Sequence, residues 1–316
     1  MGPELPRRAL GQTGLDVTSI CAGGAPVGSI PQNFGYEVSA ERAYSALNAI
    51  FDSPINFLDT SNSYGHGESE RRIGAVIKQR GGLPAGFVLA TKADRDPVTG
   101  EFNADRVRRS AEESLERMGL EEFPLFYLHD PENISFAEAV APGGAVEGMV
   151  QVRESGVARH IGVAGGPVGM MDKFLGLDIF EVLLTHNRFT LVDRSAGELL
   201  SEAAEKGVGV VNGAPFGGGI LARGAGYTDR YAYRPAPPLV LEKVAAMEDV
   251  CRQYGVPLRA AALQFSLREP RIGSTVAGTA TPAHVAELVE TAACELPVSL
   301  FEDLASLVPP PDLWLW

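Results

Sequence analysis

The chain has 316 residues, of which 45% are hydrophobic and 21% are charged, and its formal net charge is −13. Because this charge repels anionic surfaces, we expect neither nucleic acid nor a membrane surface as a partner. The length and composition predict a single domain over residues 1–316. No signal-like apolar segment follows Met1, and no apolar run approaches the roughly 18 residues of a membrane-spanning helix, which favours a cytoplasmic protein.

The sequence lacks the spacing patterns of metal ligands. The three cysteines, Cys21, Cys251 and Cys294, are scattered and odd in number, which favours reduced thiols over a disulfide framework or a zinc site. The five histidines show neither HxH nor HExxH spacing. We therefore expect no disulfide and no bound metal.

Along the chain, short apolar runs alternate with amphipathic segments of helical period. The strand-like runs are residues 18–22, 55–59, 87–92, 125–129, 160–164, 182–186, 208–213 and 273–277. The helical segments are residues 39–51, 69–79, 103–118, 146–155, 193–206 and 239–254. Ser39 and the pair Thr281-Pro282 supply signals for the start of a helix.

This alternation predicts parallel strands joined by right-handed helical crossovers. At this length, eight such units favour an α/β fold in which the strands close into a single (β/α)8 TIM barrel. The alternative is an open doubly wound sheet, but residues 23–28 lack its GxGxxG pattern, and Pro26 interrupts the start of a helix there. Residues 7–17, with a turn at Thr13-Gly14, predict a hairpin that caps the barrel floor.

Four polar residues stand at the ends of predicted strands. Asp59, Lys92, His129 and His186 each end one of the runs, and the carboxyl ends of barrel strands form one mouth. Tyr64 follows Asp59 in a loop rich in glycine, serine and histidine. We therefore expect an acid, an amine, a phenol and imidazoles to meet at this mouth.

Each of these residues also has a structural explanation. Asp59 could cap its loop, Lys92 could be a solvated strand end, and His129 could be a hydrogen-bonded turn residue. Tyr64 could be a packed ring, but four such explanations at successive strand ends are hard to sustain together. A phenol with an ordinary pKa of about 10 relays protons at neutral pH only where a cation favours its anion. Lys92 could supply that charge, Asp59 could hold Lys92 charged, and His129 could donate a hydrogen bond to the same oxygen.

The strings around these residues resemble those of the aldo-keto reductases. They are "LDTSNSYGHGESERRIG", "LATK" and "LHDPE", and they occur in the order of the family. The strings "RRALGQTGLDVTSICAGGAPVG", "NRFTLVD" and "GAPFGGGIL" are more narrowly similar to one branch. This branch contains aldose 1-dehydrogenases for L-fucose, D-threo-aldose and L-galactose, together with a pyridoxal 4-dehydrogenase. The resemblance implies that Tyr64 is the general acid/base, that Lys92 and Asp59 tune it as an ion pair, and that His129 orients the substrate.

The resemblance also implies where the nicotinamide of NAD or NADP is bound. Members usually end the fifth strand with Ser-Asn, which binds the nicotinamide carboxamide, and this chain has Ala164 and Gly165 there. The usual glutamine of the sixth strand and the tyrosine three positions later are His186 and Phe189. Phe189 could still stack on the nicotinamide ring, and His186 or Asn187 could replace the lost amide contacts.

The phosphate side of the cofactor is implied by two further loops. Pro215, Phe216, Gly217, Gly219 and Leu221 match the loop that wraps the pyrophosphate, although a glycine run can also be a plain linker. After the eighth strand, users of NADPH carry Lys, Ser and a later Arg, and this chain has Gly278, Thr279 and His284.

Loss of that lysine and arginine favours NAD over NADP, because a 2′-phosphate gains most from charged partners. A protonated His284 could restore part of the binding of NADP.

With NAD favoured, the resemblance implies oxidation of the C1 hydroxyl of an aldose to the lactone. Phe34, Tyr36 and Asp130 are candidate substrate contacts, although Asp130 could also be a turn former. The aromatic tail with Trp314 is a candidate substrate loop at the carboxyl terminus, and Trp316 belongs to the same tail. Such tails also pack on their own surface or fray.

Four alternatives remain open at this point. The first two are a pyridoxal 4-dehydrogenase and a general aldehyde or ketone reductase. The third is a Schiff-base aldolase that uses Lys92, and the fourth is a cofactor-binding subunit without activity. The sequence does not predict the oligomeric state.

Overall fold

The structure is a computed structural model that describes residues 4–315. Its strands are β1 (Arg7–Ala9), β2 (Asp16–Thr18), β3 (Ile20–Gly23), β4 (Phe57–Asp59), β5 (Val88–Ala93), β6 (Phe123–His129), β7 (Ala158–Gly165), β8 (Val182–His186), β9 (Gly209–Gly213), β10 (Arg230–Tyr231), β11 (Arg234–Pro235) and β12 (Ser274–Gly278). Its helices are α1 (Pro31–Phe34), α2 (Ala40–Asp52), α3 (Glu68–Arg80), α4 (Ala104–Met118), α5 (Phe136–Val140), α6 (Ala145–Glu154), α7 (Val168–Leu175), α8 (Gly197–Glu205), α9 (Ile220–Arg223), α10 (Pro238–Gln253), α11 (Leu258–Leu267), α12 (Pro282–Ala293) and α13 (Val298–Ala305).

Eight of the strands close into a barrel in the order β12-β3-β4-β5-β6-β7-β8-β9. Every neighbouring pair is parallel. This confirms the predicted (β/α)8 barrel and excludes the open doubly wound sheet, since closure leaves no sheet edge. The carboxyl ends of all eight strands therefore form one mouth.

Two helices begin at the residues that the sequence predicts as helix starts. Ser39 Oγ accepts a hydrogen bond from Arg42 N at 3.2 Å at the start of α2, and Thr281 Oγ1 accepts one from His284 N at 3.2 Å at the start of α12. The predicted helices do not include α11, because eight of its ten residues are buried and it lacks a polar stripe.

The hairpin of β1 and β2 is antiparallel and closes the floor of the barrel. Leu10, between these strands, is fully buried. A Cβ placed on Gly209, at the amino end of β9, would lie 2.8 Å from Leu10 Cγ. Gly11 has a φ of +59°, and a Cβ there would lie 2.3 Å from Gly209 N, so only glycine fits. The predicted floor hairpin is confirmed.

The carboxyl-terminal tail docks on the loop that follows β8. Leu315 N donates to Asp193 Oδ2 at 2.7 Å, and Leu315 O accepts from Arg188 Nε at 3.1 Å and from Ser195 Oγ at 3.0 Å. Trp316, the other tail aromatic named in the sequence prediction, lies outside the described residues. The tail thus reaches the rim of the mouth.

The hydrophobic core has a layer inside the barrel and a larger layer between the strands and the helices. The inner layer includes Phe57, Leu125 and Tyr127, all fully buried. Within residues 4–315, none of the helices has the length and apolar character needed to cross a bilayer.

Candidate active site

A buried ion pair lies at the base of the mouth. Lys92 Nζ on β5 donates to Asp59 Oδ1 on β4 at 2.5 Å and to Thr60 O at 2.6 Å. The side chain of Lys92 is only 1% exposed and that of Asp59 only 5% exposed. The backbone register sets this contact, because β4 and β5 are adjacent parallel strands.

Tyr64 projects from the loop after β4 back over this ion pair. Its hydroxyl lies 3.5 Å from Lys92 Nζ, and Lys92 Nζ lies 4.9 Å from the centroid of its ring. Gly28 and Gly65 let two loops cross closely here, because a Cβ on Gly65 would lie 2.0 Å from Gly28 O. The structure thus brings Tyr64, Lys92 and Asp59 together, as the sequence predicts.

His129, at the end of β6, completes the cluster. Its ring meets the Tyr64 ring edge to face, with the centroids 5.7 Å apart. His129 Nδ1 lies 2.7 Å from Asp94 Oδ1 and 3.0 Å from Ser61 Oγ. Ser61 Oγ also donates to Asp94 Oδ2, as does Ser63 N at 2.9 Å.

Asp94 and Ser61 are site residues that the sequence interpretation missed. Asp94 stands two positions after Lys92, one residue beyond the end of β5, and it is buried. The sequence does contain a signal for Asp94, because an acid beside the end of a buried strand is as unusual there as Asp59 is at the end of β4. Sequence alone does not show that Asp94 lies beside His129.

On its other side, His129 faces Asp130. His129 Nε2 lies 3.6 Å from Asp130 Oδ1, which in turn lies 3.7 Å from His186 Nε2. Asp130 has a left-handed backbone with φ +43° and ψ +55°, which is unfavourable for a non-glycine residue. This conformation aims a carboxylate between two imidazoles.

The pKa values of the ion pair keep Lys92 charged. Burial acts to lower the pKa of Lys92, but the charge and hydrogen bond of Asp59, together with Tyr64 and Asp94, outweigh burial and raise the pKa above its usual range. Burial raises the pKa of Tyr64 above its ordinary value, and the charge of Lys92 only reduces this rise. The net direction for Tyr64 therefore differs from the expectation that Lys92 makes it easy to ionise. The sequence shows the cation but not the degree of burial.

The imidazole of His129 is held as a cation. Burial acts to lower the pKa of His129, but the carboxylates of Asp130 and Asp94 outweigh it and raise the pKa to about 9. Burial opposes ionisation of Asp94 and Asp130 as well, yet His129 lowers the pKa of both acids. A protonated donor therefore stands beside Tyr64 at neutral pH.

The residues predicted to bind nicotinamide lie beside this cluster, with one exception. Ala164 and Gly165 end β7, where Ala164 O accepts from Asp130 N at 2.7 Å, and His186 ends β8. Asn187 is buried, and its Oδ1 has no hydrogen-bond partner within residues 4–315.

Phe189 is the exception. It is only 6% exposed and stacks on Phe265, with the ring centroids 5.0 Å apart. In the structure it is a core residue, which corrects its predicted role as a stacking platform. The sequence shows its spacing but not the direction of its ring.

The loop after β9 places a glycine backbone at the rim. Gly217, Gly218 and Gly219 all have positive φ, and a Cβ on Gly217 would lie 2.3 Å from the Tyr231 ring. Pro215 is buried and Phe216 half-buried, whereas Leu221 packs in the core below. The loop is thus a fixed turn, with Leu221 as a support rather than a surface group.

Gly278 ends β12, Thr279 follows it, and His284 lies in the first turn of α12. Gly278 is exposed, whereas Thr279 is buried and its Oγ1 has no partner in the described part of the chain. Partial burial lowers the pKa of His284, and the nearby charge of Arg42 lowers it further. This shift acts against the protonated form of His284, and so against the predicted rescue of NADP binding.

Arg42 is a third residue that the sequence interpretation did not assign to the site. Its Nε donates to Ala280 O at 3.1 Å, which holds the guanidinium at the end of β12. The guanidinium also lies 5.4 Å from the centroid of the Tyr36 ring, and that ring is 6.2 Å from Phe34. The predicted substrate contacts Phe34 and Tyr36 are thus half-buried in the loop after β3.

Comparison with known proteins decides the family. The model of the aldo/keto reductase family matches residues 19–309, which include every barrel strand. The chain belongs to the aldo/keto reductase family.

Aldo/keto reductases similar to this chain include dehydrogenases of sugars and of pyridoxal. A D-threo-aldose 1-dehydrogenase of Pseudomonas sp is 31% identical over 96% of this chain and 98% of its own length. An L-galactose dehydrogenase of Arabidopsis thaliana is 31% identical over 90% of this chain and 88% of its own. A pyridoxal 4-dehydrogenase of Microbacterium luteolum is 28% identical, over 90% and 92%. These relatives match the branch that the sequence motifs resemble.

A solved structure supports the fold. The holo form of an aldo-keto reductase from Bacillus halodurans superposes with a TM-score of 0.77 at 20% identity, over 97% of both chains. As an aldo/keto reductase, this chain is an NAD(P)-dependent oxidoreductase. The alternatives of a Schiff-base aldolase and of an inactive binding subunit are therefore wrong. Lys92 also suits the first alternative poorly, since its raised pKa leaves little free amine.

The mouth fits a nicotinamide dinucleotide. The unpartnered buried atoms Asn187 Oδ1 and Thr279 Oγ1 lie in segments that the motifs assign to opposite ends of the cofactor. The turn at Gly217 and Gly218 has positive φ, so a glycine backbone can approach anionic oxygens closely there. Polar atoms of this kind are normally paired when buried, so a ligand that pairs them suits the site.

Proposed function

We propose that this aldo/keto reductase oxidises the C1 hydroxyl of a cyclic aldose to the lactone, with NAD as the hydride acceptor. One observation carries the proposal. The Tyr64 hydroxyl lies 3.5 Å from Lys92 Nζ at the mouth. The similarity to two aldose dehydrogenases supports the choice of substrate class.

Tyr64 acts as the general base in this direction. Its deprotonated oxygen takes the proton of the C1 hydroxyl while the C1–H bond breaks and the C1–O bond becomes double. Lys92 favours the tyrosinate, and Asp59 keeps Lys92 charged and in position. When bound, NAD would accept the hydride, and its positively charged ring would lower the pKa of Tyr64 further.

His129 orients the reacting oxygen. With Nδ1–H donated to Asp94 Oδ1, the ring is fixed so that Nε2 faces the mouth beside Tyr64. A cationic Nε2–H donates to the substrate oxygen and selects one geometry for the transfer. Asp130 then accepts hydrogen bonds from neighbouring sugar hydroxyls, and Phe34 and Tyr36 form an apolar wall.

We further propose that NAD is preferred to NADP. After β12 the chain presents Gly278, Thr279 and His284 to the adenosine end, and the lowered pKa of His284 acts against its protonated form. A 2′-hydroxyl needs no cation there, whereas a 2′-phosphate does. Arg42 is a cation held at this end, so weaker binding of NADP remains.

The experiment follows NADH absorbance against a panel of L-fucose, L-galactose, D-arabinose and pyridoxal, with NADP in parallel. The proposal expects NAD-dependent oxidation of at least one aldose with lactone as the product. Oxidation of pyridoxal alone would favour the pyridoxal 4-dehydrogenase to which the chain is similar. Activity only in the reduction of aldehydes or ketones with NADPH would make the dehydrogenase proposal wrong.

A further inference from the structure

Beside the end of β7, Glu132 holds a carboxylate oxygen without a hydrogen-bond partner among the described residues. It lies in the turn of residues Pro131–Asn133, three positions after His129. Its Oε1 accepts from Gly166 N at 3.2 Å, which holds the carboxylate against the end of β7. Its Oε2 is buried and has no hydrogen-bond partner within residues 4–315. A buried carboxylate oxygen is costly unless a donor reaches it, so the site calls for a donor from a ligand.

The backbone at the end of β7 makes room for this carboxylate. A Cβ on Gly165 would lie 2.8 Å from Glu132 Oε2 and 2.8 Å from Met171 Sδ. Any larger residue at position 165 would therefore displace the acid. The Glu132 carboxylate fills the space that a side chain at position 165 would take.

The neighbouring cation Arg188 does not pair with Glu132. Its guanidinium donates to His186 O at 3.1 Å and to Leu315 O at 3.1 Å, so it is tied to the backbone. His186 is also a neighbour, since ring and carboxylate atoms of Asp130, Glu132 and His186 all lie within 4.8 Å of one another. Asn187 Nδ2 donates to His186 Nδ1 at 3.1 Å, which leaves the proton of a neutral ring on Nε2.

We infer that Glu132 binds the amino group of the nicotinamide carboxamide, with His186 Nε2–H as the donor to the carboxamide oxygen. This inference rests on the proposed NAD-dependent function. Asp130 links this pair to His129, because its Oδ1 lies 3.6 Å from His129 Nε2 and 3.7 Å from His186 Nε2. An acceptor and a donor side by side match the two ends of a primary amide.

The test compares the binding of NAD with that of 3-acetylpyridine adenine dinucleotide, in which a methyl group replaces the carboxamide nitrogen. Calorimetric titration of the wild-type protein should give about tenfold tighter binding of NAD, the size expected of one hydrogen bond to a charged group. Glu132→Ala should abolish this preference by weakening the binding of NAD alone. The Kd of the analogue should change by less than about twofold. The matched control is Glu116→Ala, which removes the same charge from the exposed face of α4.

A second variant covers the case in which Glu132→Ala does not fold. Gly165→Ala should displace the carboxylate and remove the same preference while Glu132 is still present. When Glu132→Ala and Gly165→Ala are combined, their losses of NAD affinity should not add, because both substitutions remove the same contact.

Equal weakening of both dinucleotides by Glu132→Ala, or weakening of neither, would overturn the inference while leaving the proposed function in place. So would loss of the wild-type preference on addition of EDTA, since a divalent cation would then occupy the three side chains. A wild-type protein that binds neither dinucleotide would overturn the proposed function itself.

Discussion

The two ends of the barrel bury polar groups in opposite ways. At the floor, Asn56 Oδ1 accepts from Thr18 N at 2.7 Å and Asn56 Nδ2 donates to Asp16 O at 2.8 Å. The Arg8 guanidinium there donates to three backbone carbonyls. At the mouth, Asp59 Oδ2, Glu132 Oε2 and Thr279 Oγ1 are buried without partners within residues 4–315.

The contrast separates stability from chemistry. Paired groups at the floor lower the free energy of the folded chain and have no unmet need for a ligand. Unpaired groups at the mouth are satisfied only when something binds. Changes at the floor should therefore alter the free energy of unfolding, and most changes at the mouth should alter binding or turnover.

Lys92→Met is expected to have the largest effect and to lower both stability and turnover. Lys92 pairs with the buried Asp59 and also assists proton transfer. Loss of the ammonium leaves Asp59 buried without its ion partner, which should cost about 3–5 kcal/mol of unfolding free energy. Turnover should also fall by at least about a hundredfold, as for loss of a group that assists proton transfer. Urea unfolding and NADH formation measure the two effects, with Lys78→Met on the exposed face of α3 as the control. A stable variant with unchanged turnover would contradict both assignments.

Leu10→Ala is expected to act at the floor alone. Removal of a fully buried leucine side chain should lower the free energy of unfolding by about 2–5 kcal/mol. Because the mouth is at the other end of the barrel, kcat at a temperature where the variant is folded should change by less than about twofold. Leu239→Ala, at the start of α10 with its side chain exposed, is the control. A large loss of kcat in the folded variant would show that the two ends are coupled.

Asp94→Asn is expected to shift the titration of His129. The amide keeps a hydrogen-bond acceptor near Nδ1 but removes the negative charge, so the pKa of His129 should fall from about 9 toward its ordinary value. Nuclear magnetic resonance of the imidazole measures this directly. The rise of activity with pH should level off at a lower pH in the same variant, since the orienting cation is lost sooner. An unchanged profile would show that Asp94 is only a packing residue.

The raised pKa of His129 also makes the free energy of unfolding depend on pH. The pKa of folded His129 is above the unfolded value of about 6.5, so its contribution is complete below that pH and is lost as pH rises through about 9. The wild-type free energy of unfolding should therefore decline across this window by up to about 3 kcal/mol. Asp94→Asn should show a smaller decline. Urea unfolding at pH 6, 7.5 and 9 tests this.

Arg42→Ala is expected to have the smallest effect, at the adenosine end of the mouth. Because the guanidinium is partly exposed, its loss should weaken NADP by roughly threefold to tenfold and NAD by less than about twofold. Titration of both dinucleotides measures the ratio, with Arg109→Ala on the exposed face of α4 as the control. Equal weakening would remove Arg42 from the choice between the two cofactors.

The sequence predicted the barrel because its signals are local. Apolar runs and helical periods repeat along the chain, and the positions of Asp59, Lys92 and His129 at strand ends follow from the strand assignments. Parallel register then places these side chains together, so their meeting at the mouth could be predicted from the pattern of residues alone.

Contacts between distant loops could not be predicted in the same way. Asp94 and Ser61 meet His129 only because three loops converge, and spacing does not encode the direction of a side chain. Phe189 shows the same limit. Its spacing predicted a ring that stacks on nicotinamide, but in the structure the ring lies in the core and stacks on Phe265. The direction of the pKa shift of Tyr64 depends on burial, which only the folded structure shows.

The most direct test of the account is the rate of aldose oxidation by wild-type protein and by Tyr64→Phe as pH rises from 7 to 9. Because the pKa of Tyr64 is raised, the wild-type rate should increase across this range as more tyrosinate forms. Tyr64→Phe should be slower by about 10²–10⁴-fold and should show no such increase. A Tyr64→Phe variant that keeps the wild-type turnover and pH dependence would contradict the assignment of Tyr64 as the proton acceptor.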